Sequence, residues 1–255
     1  MLTLDQVKSK SSTRLIWLHP VVLAATTVLI ERCYARGVPI VITQGLRTIA
    51  EQDALYAQGR TKPGSIVTNA KGGYSYHNFG LAVDFALLLP NGSSVSWDMS
   101  LDYNGNNIKD WIEVVEEAKK LGFEWGGDWT TFKDYPHFQM VFGLTLTQLR
   151  AGSKPSETAM AKASAIIDRL KGEVKEDMSR IEELEAIVVK QDERLAAVEK
   201  RLNKSGKETY AVNYTEAITA AKAVGAITTS ADKSKIELNI IQMFFNLGLF
   251  KRGDK

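Results

Sequence analysis

Two of the three histidines in this 255-residue chain sit in unusual company. In Ser75-Tyr76-His77-Asn78-Phe79-Gly80-Leu81-Ala82-Val83-Asp84-Phe85, a single carboxylate interrupts an apolar run. Read as a strand, the run puts Ala82, Asp84 and Ala86 on one face and Val83, Phe85 and Leu87 on the other. A carboxylate on a face of alanines is costly to bury without a partner, and a cation offsets that cost. His77 lies seven residues earlier, across a Gly80 turn able to bring it back alongside.

The second cluster is Asp134-Tyr135-Pro136-His137-Phe138-Gln139-Met140. Strand alternation gives His137 and Gln139 one face, with Phe138, Met140 and Phe142 on the opposite one. Pro136 biases Tyr135 to an extended conformation, so Asp134 stands just outside the strand. Two histidines and one carboxylate are the ligand set of a catalytic Zn2+ site, whose fourth position stays open to water. Zinc lowers the pKa of that water toward neutrality, and an adjacent carboxylate takes its proton. On spacing alone, a core or surface role for either histidine stays open.

The elements that must position these residues fill the first 150 positions. Pro20 to Arg36 reads as a helix closed by Gly37, Pro39 to Thr43 as a short strand, and Ile49 to Gln58 as a helix closed by Gly59. Leu81 to Leu89 and His137 to Phe142 read as strands, and Ile108 to Leu121 as a helix ended by Gly122. Helices do not alternate with every strand, so the expected class is α+β, a small antiparallel sheet with flanking helices. His19, before Pro20, reads as a helix-entry residue. Trp125 and Trp129 are open between cleft lining and core.

All five tryptophans lie in the first 130 residues, and no aromatic residue other than histidine occurs between Phe142 and Tyr210. The expected organisation is therefore a catalytic domain over 1–150, a linker over 151–160, a coiled-coil helix over 161–204 and a small helical module over 205–255. The coiled coil rests on Ile167, Leu170, Val174, Asp177, Ile181, Leu184, Val188, Gln191, Leu195, Val198 and Leu202, spaced alternately three and four apart. Arg180 facing Glu185 and Arg194 facing Glu199 of a partner suit a parallel homo-oligomer. The competing reading is a long helix packed back on its own domain. Asn203 to Lys207 breaks the pattern, and two short helices are expected at about Tyr214 to Val224 and Ala231 to Leu247.

Composition narrows the partners. Net charge is +2, and residues 1–150 carry 14 basic against 14 acidic side chains, so no basic patch marks nucleic acid as a partner. Cys33 is the only cysteine, which excludes an intrachain disulfide framework and zinc held by cysteine clusters. Leu15 to Ile30 contains His19-Pro20 and lacks a small-residue cleavage site, so it reads as a buried helix, and synthesis in the cytoplasm without a signal peptide is expected. No stretch is long enough and free enough of charge for a membrane span.

Ser-x-His-x-x-Gly-x-Ala-x-Asp, from Ser75 to Asp84, resembles the metal signature of the D-alanyl-D-alanine metallopeptidase superfamily, and Asp134-x-Pro136-His137 resembles its second signature. The likeness runs over roughly residues 15 to 143. Gln44-Gly45-Leu46-Arg47-Thr48, Gln52, Gln58-Gly59-Arg60-Thr61, Pro63-Gly64, Val67-Thr68-Asn69-Ala70 and Trp125-Gly126-Gly127-Asp128-Trp129 are similar to phage endolysins and bacterial autolysins that cut L-alanyl-D-glutamate bonds in peptidoglycan.

The resemblance implies that His77, Asp84 and His137 bind zinc, that Asp134 is the base, and that Arg47 contacts substrate and stabilises the oxyanion. Gln44, Ser75, Asp128 and Trp129 are the candidate substrate-binding residues. Dipeptidase and carboxypeptidase relatives usually carry glutamate as base, so Asp134 favours the endopeptidase branch. The expected function is a peptidoglycan endopeptidase, a phage endolysin that reaches the wall after release. The alternatives are a D-Ala-D-Ala carboxypeptidase or dipeptidase, and a non-enzymatic wall-binding protein with a retired site.

Overall fold

Helix α1 (Leu4–Ser11) opens on a reciprocal cap between Thr3 and Gln6. Helix α2 (Pro20–Ala35) has proline in its first turn, where the missing N–H is not needed, and His19 Nδ1 accepts the Val21 N–H at 3.3 Å. His19 is thus the N-cap, the entry role read from its place before Pro20. Val22, Ala25, Leu29 and Cys33 recur at helical spacing on α2 and are all buried. The computed structural model describes residues 2–202, 214–228, 233 and 235–250.

The α2 face packs into one core with the inward residues of an antiparallel sheet. Strands β1 (Ile40–Gln44), β2 (Ala82–Leu88), β3 (Val95–Ser96), β4 (Glu124–Trp125) and β5 (His137–Gln139) form it in the order β1-β2-β5-β4, with β3 pairing β2. Helix α3 (Ile49–Ala57) follows β1 and starts on a Thr48–Glu51 capping box. Helix α4 (Asp110–Lys120) inserts Trp111, whose ring lies 4.5 Å from that of Phe85. Phe85 in turn stacks on Phe138 of β5 at 4.9 Å. These rings occupy the strand face opposite Asp84 and His137, so cutting either phenylalanine to alanine is expected to cost about 3–5 kcal/mol.

Charged residues also cross this interior. Arg32 of α2 and Arg36, which caps its C-terminal end, pair with Glu113 and Glu117 of α4, and both glutamates are 1% exposed. Arg32 Nη1 also donates to Leu170 O at 3.1 Å. Leu170 belongs to the long helix α6 (Glu157–Leu202), reached through the short α5 (Leu146–Arg150).

Two compact units result, Met1–Ser179 and Arg180–Lys255. The expected coiled-coil seam divides between them. Ile167, Leu170 and Val174 are buried, and the first two join the same core as α2 and the sheet. In this stretch the helix packs back on its own domain, with Ile167 and Leu170 in the shared core and the Leu170 carbonyl on Arg32. Past Arg180 the seam changes character: Leu184, Val188, Leu195 and Val198 are exposed.

In the second unit, α7 (Thr215–Ala223) and α8 (Lys235–Asn246) close on each other through Ala217, Ile218, Ala221, Leu238 and Ile241. The expected break at Asn203 to Lys207 lies outside the described residues. The α+β class, the long helix and the small C-terminal helices agree with the sequence reading. Strand β5 is shorter than expected: it ends at Gln139, and the backbone leaves the extended conformation by Phe142, which takes φ +50°. Among the described residues, no helix is long and apolar enough to cross a membrane.

Candidate active site

Asp84 and His137 are register partners across the β2–β5 ladder, so their side chains leave the same face. His77 reaches them from a 3-10 turn, Tyr76–Phe79, that Ser75 caps by accepting the His77 N–H at 3.4 Å. Gly80 closes the turn at φ +66°, and a Cβ there would stand 2.8 Å from Trp17 O. Only glycine meets both demands. His77 Nε2, Asp84 Oδ1 and His137 Nδ1 then lie 3.1 Å from one another.

Their outer partners fix which ring atoms carry hydrogen. His77 Nδ1 faces the Gly45 carbonyl at 2.8 Å and must donate to it, which leaves Nε2 with a lone pair. Gln139 donates its amide to Glu124 Oε2 at 2.9 Å, so its Oε1 accepts the His137 Nε2 proton at 3.1 Å. His137 Nδ1 is therefore also a lone pair. Two nitrogen lone pairs and a carboxylate oxygen converge on one point, which repels unless a cation or a proton occupies it. The separations fit the edge of a tetrahedron of roughly 3.3 Å set by metal–ligand bonds of about 2.0–2.1 Å. Among the described residues this is the one group of three or more His, Cys, Asp or Glu close enough to hold a metal.

Electrostatics follow from that cluster. Burial would raise the Asp84 carboxyl, but the two imidazoles hold it well below the usual carboxylate range. Burial opposes charge on His137, yet the Asp84 and Asp134 carboxylates raise its pKa overall. Asp134 moves the other way from Asp84: burial, then the Asp84 charge, push it above its ordinary value against His137, His77 and Arg47. Gly126 lets Asp134 approach, since a Cβ there would meet Asp134 O at 2.4 Å.

The cluster opens into a cavity of about 620 Å³. Arg47, Ser75, Trp129 and Asp134 line it together with His77, Asp84 and His137. Arg47 reaches Asp84 Oδ2 at 3.5 Å and donates Nη1 to Gln52 Oε1 at 2.9 Å, while its Nε is buried without a hydrogen-bond partner. Trp129 lies 5.2 Å from the His137 ring. Gln44 and Asp128 do not line the cavity: Gln44 donates to Leu46 O at 3.1 Å, and Asp128 is exposed and pairs with Lys119 at 2.7 Å. Trp125 braces the wall, its indole donating to Tyr135 O at 2.6 Å. Spacing gave no signal for the Gly45 carbonyl or for the orienting roles of Gln139 and Glu124, although Gln139 was legible as a face-mate of His137.

A family model described as D-alanyl-D-alanine carboxypeptidase matches residues 68–140, a span that contains His77, Asp84, Asp134 and His137. The chain is 57% identical over 124 residues to the peptidoglycan L-alanyl-D-glutamate endopeptidase CwlK of Bacillus subtilis, covering 49% of this chain and 74% of that one. The chain belongs to this peptidase family. It is 29% identical over 153 residues to the L-alanyl-D-glutamate peptidase of Listeria phage A118, covering 57% of this chain and 48% of the phage protein. A crystal structure of the L-Ala D-Glu endopeptidase ChiX of Serratia marcescens is similar at 25% identity and a TM-score of 0.39, over 52% of this chain and 88% of that one. As a family member the chain is a metallopeptidase, and His77, Asp84 and His137 lie close enough together to hold a metal ion.

Proposed function

We propose that this chain is a zinc endopeptidase that cuts the bond between L-alanine and D-glutamate in peptidoglycan stem peptides. The observation that carries the reading is the meeting of three lone pairs from His77, Asp84 and His137 beside Asp134 in one open cavity. The Bacillus relative, named for this bond, supports the substrate. The phage relative supports a lytic role, in which the enzyme opens the host wall.

Zinc bound there supplies Lewis acidity to a water and to the scissile carbonyl. Asp134, raised above its ordinary value by burial and by the Asp84 charge, accepts the proton of the attacking water and returns it to the leaving amine. The new C–O bond forms first and the C–N bond then breaks, giving a carboxylate and a free amine. Arg47, which lines the cavity, offers its fixed charge to the developing oxyanion or to the substrate carboxylate. Gln52, fully buried and donating to Ala70 O at 2.8 Å, holds the Arg47 guanidinium in place. Ser75 acts as a capping hydrogen-bond group rather than a nucleophile, because its hydroxyl accepts from His77 N–H and has no histidine base.

The exposed part of α6 belongs to the same proposal. From Ile181, the a and d positions of three heptads are Ile181, Leu184, Val188, Gln191, Leu195 and Val198, with Leu202 opening a fourth, and opposite charges stand at Arg180 with Glu185 and at Arg194 with Glu199. A second copy aligned in parallel covers the apolar stripe and matches those charges, which raises avidity for a polymeric wall.

The test is hydrolysis of purified peptidoglycan by the full chain before and after chelation. New amino termini that appear, vanish with chelator and return with one zinc per chain support the reading. Full turnover in the chelated protein contradicts it.

A further inference from the structure

The catalytic cavity has two walls of different chemistry, one on each side of Asp84, which pairs Gln44 of β1 on one edge of β2 and His137 of β5 on the other. The wall on the β1 side is polar and cationic. Arg47 lines it, and Gln52 of α3 ties in Thr68 and Ala70 through bonds of 3.3 and 2.8 Å. Asn69 and Tyr74 also face the cavity. Each is backed by a cation: Arg60 donates to Asn69 Oδ1 at 2.9 Å, and the Arg150 guanidinium lies 3.8 Å from the centre of the Tyr74 ring.

The wall on the β5 side is aromatic. Trp97 follows β3, which pairs the same edge of β2 as β5 because β1 holds the other, and Phe132 stands in the connection between β4 and β5. Both line the cavity, each is 51% exposed, and neither packs against the core. Among the described residues, neither ring stacks on another ring or carries a cation. Single exposed apolar side chains are ordinary, but two open rings from separate loops on one wall of a cleft make a surface. Their backbones are held: Ser96 Oγ accepts from Asp98 N–H at 3.1 Å, and Asp134 N–H donates to Gly126 O at 3.1 Å. Phe132 takes φ +47°, a conformation that bulky residues rarely adopt, so its loop places the ring there against local preference.

A stem peptide cut between L-alanine and D-glutamate is divided in the same way. On the leaving side, D-glutamate carries a free carboxylate, which suits the wall of Arg47. On the acyl side, L-alanine is amide-bonded to the lactyl group of a neutral, N-acetylated sugar, and no carboxylate remains. Alanine and the lactyl group span about two residue lengths, roughly 7 Å, which brings the sugar to the rim of the same cavity. The C–H groups on the less polar face of a sugar complement the electron-rich face of an aromatic ring.

We propose that Trp97 and Phe132 form a platform, on the acyl side of the scissile bond, for the neutral sugar that joins each stem to the glycan. The enzyme therefore prefers glycan-attached stems to free stem peptides. This deepens the L-alanyl-D-glutamate reading and rests on it for the direction in which the substrate lies. Sugar on the rings and carboxylate on Arg47 fix that direction from both ends, which aligns the peptide bond between Asp134 and the histidines.

The test compares kcat/KM of the full-length, zinc-loaded protein on a free stem peptide and on the same stem carrying its N-acetylmuramyl sugar. Wild type should favour the sugar-bearing substrate, chiefly through KM. Trp97→Ala and Phe132→Ala should each shrink that preference by about 3- to 10-fold, the worth of one aromatic stacking contact, whereas Trp97→Tyr and Phe132→Tyr, which keep a ring, should retain most of it. Calorimetric titration with N-acetylmuramyl-L-alanine, the acyl-side product, should show the same order of affinities. The titration needs no cleavage, so it decides the platform even if the bond assignment fails, and the two rings are tested separately in case one variant does not fold. Equal kcat/KM for the two substrates in wild type, or a preference and product affinity unchanged in the alanine variants, overturns the proposal.

Discussion

Asp84 and His137 face each other across the β2–β5 ladder, with His137 Nδ1 3.1 Å from Asp84 Oδ1. The register alone makes this pair, since directly opposed residues of antiparallel strands place their Cβ atoms about 4.5–5.5 Å apart on one face. A one-residue slip would send His137 into the phenylalanine core and Phe138 into the cleft. The core therefore fixes the site: Phe85 stacked on Phe138 holds the register that aligns the two ligands.

Removing a ligand and removing its support should differ in degree. His77→Ala and His137→Ala are expected to lose zinc and activity together. Gln139→Ala frees the His137 ring to rotate, and a 10- to 100-fold loss in metal affinity or activity is the expected scale. Metal content by mass spectrometry with turnover on the same samples checks this. Full zinc in both histidine variants contradicts the ligand assignment.

Asp134→Asn separates the base from the ligands. It is expected to keep zinc and to lose about 10²–10⁴ in rate. Near-normal turnover with zinc retained would move the base elsewhere.

Asp84 stood out in the sequence because it breaks an apolar strand, but the grouping of His77, Asp84 and His137 and the base role of Asp134 were carried by the resemblance of their two motifs, since on spacing alone either histidine could be a core or surface residue. The Arg32–Glu117 and Arg36–Glu113 pairs were not legible, because each partner reads as an ordinary exposed helix charge until α2 and α4 are packed. The heptad seam was legible as a pattern but not as an allocation. Ile167 and Leu170 satisfy the same periodicity whether a partner helix or the chain's own core covers them.

The buried pairs make a pH prediction. Burial would raise Glu117, but Lys120 and Arg32 hold it below its ordinary value of 4.5. A folded-state pKa below the unfolded one gives stability that is present above about pH 4.5 and lost as pH falls through the folded value. The thermal midpoint should therefore drop below pH 4.5, and the drop should be shallower in Glu117→Gln, which is less stable at neutral pH. A drop of unchanged steepness in Glu117→Gln contradicts this role.

Association should depend on the exposed half of α6. The full chain is expected to be oligomeric by light scattering at micromolar concentration, and Val188→Asp with Leu195→Asp should give the monomer mass with cleavage of a soluble stem peptide unchanged. A monomeric wild-type chain contradicts the proposal.

The central claim is tested most directly by mass spectrometry of the products released from purified peptidoglycan. Cleavage between L-alanine and D-glutamate creates fragments with a new amino terminus on D-glutamate and leaves L-alanine on the glycan side. The account predicts those fragments and their loss in His137→Ala. Release of free D-alanine with no new N-terminal glutamate would contradict it and make the enzyme a carboxypeptidase.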